Sequence, residues 1–118
     1  MSSLMTFTQG KPLTEQEAVD YVQSLGYYPL VFDDVHDADE ELHWHEFDSV
    51  AIVISGLGSF ADETGAVTNI EPGCMVNASA GWLHRTLAGT NTRVVLGSNT
   101  PYSEWSHPIN KDPVSRSQ

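Results

Sequence analysis

The chain has 118 residues, sixteen acidic and five basic, with a formal charge of -11 at pH 7. That is enough sequence for one domain. The charge repels the phosphate backbones and anionic membrane surfaces that basic patches attract, so neither nucleic acid nor membrane is an expected partner. Forty per cent hydrophobic residues, with nine glycines and six prolines spread along the chain, describe a globular protein rich in turns.

The opening MSSLMTFTQGKPL carries no apolar run flanked by positive charge, so neither a signal peptide nor a membrane span is expected there, and the expected location is cytoplasmic. Residues 1–12 read as an N-terminal arm. Thr14 with Glu17 three residues on forms a capping box, and Ala18, Val19, Tyr21, Val22 and Leu25 fall on one face before Gly26. This predicts a short helix over 15–25 whose apolar stripe covers the outside of a sheet.

Short apolar segments separated by turn signals follow. Strands are expected at Tyr28–Phe32, Glu41–Glu46, Ser49–Ile54, Gly58–Asp62, Ala66–Ile70, Met75–Ala78, Leu83–Ala88 and Thr92–Leu96. This pattern predicts an all-β domain over 13–97, either a small barrel or a double-sheet jelly roll. In the third of these strands Val50, Ile52 and Ile54 alternate with Ala51 and Val53, so both faces are apolar. One face would line the interior; the other needs the helix or a second subunit, and a homodimer is expected. Cys74 is the single cysteine, which rules out an internal disulfide, and its neighbours Gly73, Met75 and Val76 suggest an ordinary buried thiol. From residue 98 the chain is polar, contains three prolines and has no period, so 98–118 is expected to be an extended, loose tail.

The chemistry concentrates in the segment HWHEFDSVAIVISG, residues 43–56. Two residues apart on a strand, His43 and His45 share a face and can converge on one ion. Eight of the acids lie between Asp33 and Asp48, around these histidines. They form either a solvated loop or a field that concentrates cations.

Further along, Gly56, Gly73, Gly81 and His84 complete a pattern. His43-x-His45, with Gly56 ten residues after the first of Glu46-Phe47-Asp48, and Gly73 eleven residues before His84, resembles the two motifs of the cupin family. These motifs have the forms G-x5-H-x-H-x3,4-E-x6-G and G-x5-P-x-G-x2-H-x3-N. The resemblance implies a single cupin-type barrel, or double-stranded β-helix, with a short N-terminal helix. It also implies a divalent transition metal held by His43, His45 and His84, with open positions for a small-molecule ligand or substrate. Imidazole suits iron, zinc, nickel or copper alike.

The chain departs from the motifs at Asp37, Ser49, Ser79 and Ala88, which replace the first glycine, the glutamate, the proline and the asparagine. With serine in place of the glutamate ligand, Asp48 is the nearest acid. It is the candidate catalytic group if a bulge at Glu46-Phe47-Asp48 turns it inward. Trp44 alternates away from the histidines and is expected under the helix or at an interface, whereas Trp82 and Arg85 flank His84, where either can border the pocket mouth; for Arg85 a surface ion pair in so acidic a chain is expected ahead of a pairing with a substrate carboxylate. The resemblance implies a metal-dependent enzyme, possible dioxygenase chemistry included, or a non-catalytic binding or sensing protein; fold alone does not choose between them.

Overall fold

The helix forms where the capping box predicts it. In the computed structural model, which describes residues 5–115, Thr14 Oγ1 accepts from the Glu17 amide and the Glu17 carboxylate accepts from the Thr14 amide, opening α1 (Glu15–Ser24). Gly26 takes a positive φ just past its end. The buried face of α1, Ala18 and Val22, packs on Val50, Ile52 and Val95. Ala18 and Val22, with Val19 partly buried beside them, thus cover the outer face of a sheet, while Tyr21 and Leu25 of the expected stripe stay exposed. Burying Val22 completely contributes about 1.5–3 kcal/mol. The close approach depends on Gly97, where a β-carbon would overlap the Val22 side chain.

The strands are β1 (Met5–Gln9), β2 (Tyr28–Val35), β3 (Ser49–Asp62), β4 (Val67–Ile70), β5 (Cys74–Ala78), β6 (His84–Thr86) and β7 (Asn91–Ser98). All pairings are antiparallel, in the order β1-β5-β3-β7-β2, with β4 and β6 joined to the far half of β3. β3 organises the fold. It runs through both segments expected as separate strands, with its register against β7 shifting between Val53 and Ser55. Gly56 stands at this bend with φ of 88°, and a β-carbon there would run into the Asn91 carbonyl. The first half of β3 pairs with β5 and β7, and the second half turns over to pair with β4 and β6. The sheet therefore rolls into a jelly-roll arrangement around an interior without closing into a continuous barrel.

Three local expectations change. The strand expected at Glu41–Glu46 is reduced to two single-residue bridges, His43 with His84 and Trp44 with Lys111. Acidic side chains take over part of the pairing here: Glu40 accepts from the Thr86 amide and Asp39 from the Ala88 amide. The N-terminal arm supplies β1, the edge strand beside β5. The tail is docked, with 3-10 turns at Tyr102–Glu104 and Pro113–Ser115 and Trp105 buried. No helix among the described residues is long and apolar enough to cross a membrane. Cys74 is fully buried, and its Sγ accepts from the Glu71 amide.

Candidate metal centre

Strand alternation determines what faces the interior. On β3, Ser49, Ala51 and Val53 point inward while Val50 and Ile52 meet the helix; on β2, Leu30, Phe32 and Asp34 point inward. On β6, His84 and Thr86 face the interior, and Arg85, between them, lies outside its lining. The result is a cavity of about 590 Å³, walled largely by aliphatic and aromatic side chains.

The three histidines gather at this cavity. Reciprocal backbone hydrogen bonds of 2.9 Å between His43 and His84 join the two motifs, and the ring centroids lie 4.6 to 5.0 Å apart. One nitrogen from each ring lies within 4.8 Å of the others.

Each ring is also oriented by the backbone. His43 Nδ1 meets the Glu41 carbonyl at 2.6 Å, His45 Nδ1 the Ile109 carbonyl at 3.0 Å, and His84 Nδ1 the Trp82 carbonyl at 2.9 Å. A carbonyl can only accept, so Nδ1 carries the proton of each neutral ring and that ring's Nε2 keeps its lone pair. Outer-sphere carbonyls commonly fix ligating imidazoles in this way. Aromatic stacking holds the ring planes: Trp82 lies over His84 at 4.4 Å, and Phe47 is sandwiched between His45 at 5.0 Å and Trp105 at 4.1 Å.

Burial opposes the charging of two of the three rings. It pushes the His84 imidazole down to about 3, against the opposing pull of the Trp82 carbonyl, with the neighbouring His45 and His43 rings adding to the shift. His45 is lowered foremost by burial as well, against its bond to the Ile109 carbonyl.

Both groups take up protons more readily in the unfolded chain, near the ordinary 6.5, than in the fold. Stability is therefore retained above pH 6.5 and lost as pH falls below it. Metal-free protein is expected to lose roughly 1.4 kcal/mol per pH unit through His84 as pH falls from just below 6.5 to about 5, with His45 adding in the same direction, before most carboxylates titrate. Urea midpoints measured at pH 7.5, 6.5, 5.5 and 4.5 check this; a flat profile refutes the buried neutral cluster.

Asp48 does not join the cluster. Its Oδ1 accepts from the Ala80 amide at 2.8 Å, its Oδ2 lies 3.4 Å from Asn99 Nδ2, and its backbone amide donates to Asn99 Oδ1. It ties together loops outside the cavity lining. No inward bulge forms, because the loop amides claim the carboxylate. The acid at the site is Glu40, whose Oε1 lies 3.8 Å from His43 Nε2 and accepts from the Thr86 amide. The only sequence signal for Glu40 is its place three residues before His43, within an acidic run where solvated side chains are the rule. Ser49, at the usual glutamate position, is buried in the cavity wall. Trp44 packs toward the tail, its Nε1 donating to the Asp112 carbonyl, instead of under the helix.

No protein-family model and no curated protein matches the chain. Solved structures do. A DUF861 family protein from Thermotoga maritima is 14% identical with a TM-score of 0.55, over 78% of this chain and 96% of that one. Acireductone dioxygenase from Bacillus anthracis, with a cadmium ion in its active centre, is 16% identical with a TM-score of 0.54, over 90% of this chain and 80% of that one. The polyketide cyclase RemF from Streptomyces resistomycificus is 16% identical with a TM-score of 0.53, over 93% and 75%. At these identities the likeness is one of fold, and it agrees with the rolled sheet and the paired histidine motifs: the chain is a cupin in fold.

Proposed function

We propose that the protein is a metal-dependent enzyme acting on a small molecule, with His43, His45 and His84 as ligands of a divalent transition metal. The observation that carries this reading is the common tautomer: three carbonyls hold three Nδ1 protons, so the Nε2 of each neutral ring is free to ligate, on three clustered rings that line a cavity. A divalent ion bound there supplies Lewis acidity and a template for a chelating substrate or molecular oxygen.

The chain's own contributions are orientation, exclusion of water and one carboxylate. The stacked Trp82 and Phe47 prevent the His84 and His45 rings from turning. Glu40, held by the Thr86 amide, is the group within reach of the centre that can accept a substrate proton. Asp34, the other carboxylate at the cavity, is engaged by His36 Nε2 at 2.6 Å. Asp48 acts as a positioning residue for the loops carrying Ala80 and Asn99.

The ligand set of three imidazoles favours oxygen-dependent cleavage or oxidation, of the dioxygenase kind. The second reading, a non-catalytic binding or sensing protein, is favoured by one feature: both cavity carboxylates are already hydrogen-bonded. Oxygen uptake by the iron(II)-loaded protein with a panel of diketones and thiols separates them. Uptake above that of His84→Ala is expected; thermal stabilisation by a panel compound without any uptake would establish the sensing reading instead.

A further inference from the structure

The five basic residues of the chain are Lys11, Arg85, Arg93, Lys111 and Arg116. None of the four within the described residues lines the cavity. Arg93 is paired with Glu15 and Asp33 across the outside of β7, and Lys111 is held by Ser106, the Pro108 carbonyl and Glu46. Among the described residues, Asp34 and Glu40 are the carboxylates that face the interior. A phosphate or carboxylate ligand would meet two carboxylates and no guanidinium or ammonium, the reverse of what anion recognition requires. A divalent ion on three neutral imidazoles would add two positive charges against these two negative ones, leaving nothing for a charged ligand to neutralise.

The walls narrow the class further. Phe47 is fixed between His45 and Trp105, and Trp82 between the face of His84 and the edge of Phe60, at 4.1 to 5.7 Å between centroids. Rings held in this way form a rigid aromatic part of the wall, and Phe32 on β2 with Leu96 on β7 adds apolar surface. A volume of about 590 Å³ lies within the range that encloses a drug-sized molecule. Polar groups are few, and the histidines and Glu40 cluster together. We infer that the cavity takes an uncharged, planar aromatic compound with its oxygen substituents toward the histidines, and that it rejects anionic substrates such as carboxylates and phosphorylated sugars.

The position of the ligand's oxygens rests on the proposed metal centre; the preference for an uncharged aromatic body does not. The two are separated by calorimetric titration of the full chain, metal-free after dialysis against chelator and again zinc-loaded, with three matched probes. These are 2-naphthol, naphthalene-2-carboxylate and decahydro-2-naphthol. In the metal-free protein 2-naphthol is expected to bind at least tenfold more tightly than the carboxylate and at least fivefold more tightly than the saturated alcohol. Phe32→Ala, a half-buried change on the edge strand, is expected to weaken 2-naphthol fivefold or more. Equal or tighter binding of the carboxylate overturns the charge selectivity, equal binding of the saturated alcohol overturns the planar fit, and no effect of Phe32→Ala overturns the assignment to this cavity. Failure to take up zinc while the 2-naphthol preference stands would sink the metal centre and leave the ligand class intact.

Discussion

His84→Ala is expected to abolish stoichiometric metal in protein purified without chelator, with a loss of affinity for added zinc or cobalt of more than ~100-fold, beyond the 10–100-fold that outer-sphere changes cost. The fold should survive, because the backbone bridge between His43 and His84 runs through their amides and carbonyls and does not involve the imidazole. Removing the ring also removes a buried group whose charging the fold opposes, so the acid sensitivity below pH 6.5 should diminish in the same variant. His84→Gln gives a second test that retains a polar side chain against Trp82. Elemental analysis together with a thermal melt decides. Metal unchanged in a folded variant would mean that His84 is not a ligand, whatever His43 and His45 do. Metal absent from the wild type, with zinc uptake no better than that of the variant, would remove the centre altogether.

The elements that were legible in the sequence are those whose cause is local. The helix follows from Thr14, Glu17 and a 3.6-residue stripe, and the inward and outward faces of the first half of β3 follow from alternation at Ser49 to Val53. The convergence of His43, His45 and His84 was legible for a different reason. The spacing to Gly56 and Gly73 resembles the cupin motifs, and that resemblance implies a barrel in which the two histidine segments lie side by side, as the backbone bridge has them. The roles of the acids could not be read from spacing, because they depend on which unpaired amide lies nearest. Ala80 and Asn99 capture Asp48, while the Thr86 amide brings Glu40 to the histidines. These partners lie 32 to 51 residues away in the chain, so no local pattern reports them. The tail was misread for a related reason: polar, proline-containing sequence predicts solvation, yet Trp105 within it is a large apolar surface that gains by docking.

That docking links the tail to the centre, and Trp105→Ala is the substitution with the largest expected effect on stability. Trp105 is 8% exposed, stacks on Phe47 at 4.1 Å, and donates through Nε1 to Ser98 Oγ at 3.2 Å and to the Thr100 carbonyl at 3.0 Å. Truncating a buried tryptophan costs about 3–5 kcal/mol, a large part of the total stability of a small domain. Trp105→Phe keeps a stacking ring but loses the donor, so it should cost closer to ~1–2 kcal/mol. The consequence extends beyond stability, because the strap from Trp105 to Asp112 holds the histidine segment at several points. Ser106 donates to Glu46, Lys111 exchanges backbone hydrogen bonds with Trp44, and the Ile109 carbonyl fixes the Nδ1 proton of His45. With Phe47 unsupported and Ile109 released, His45 loses both the ring that orients it and the carbonyl that sets its tautomer, and metal affinity is expected to fall ~10–100-fold. Urea unfolding and competitive zinc titration of Trp105→Ala and Trp105→Phe measure the two effects separately. A cost below ~1 kcal/mol for the alanine variant would mean that the strap does not dock in solution. A full stability cost with unchanged zinc affinity would mean that it docks, and that His45 is oriented by the strand segment alone.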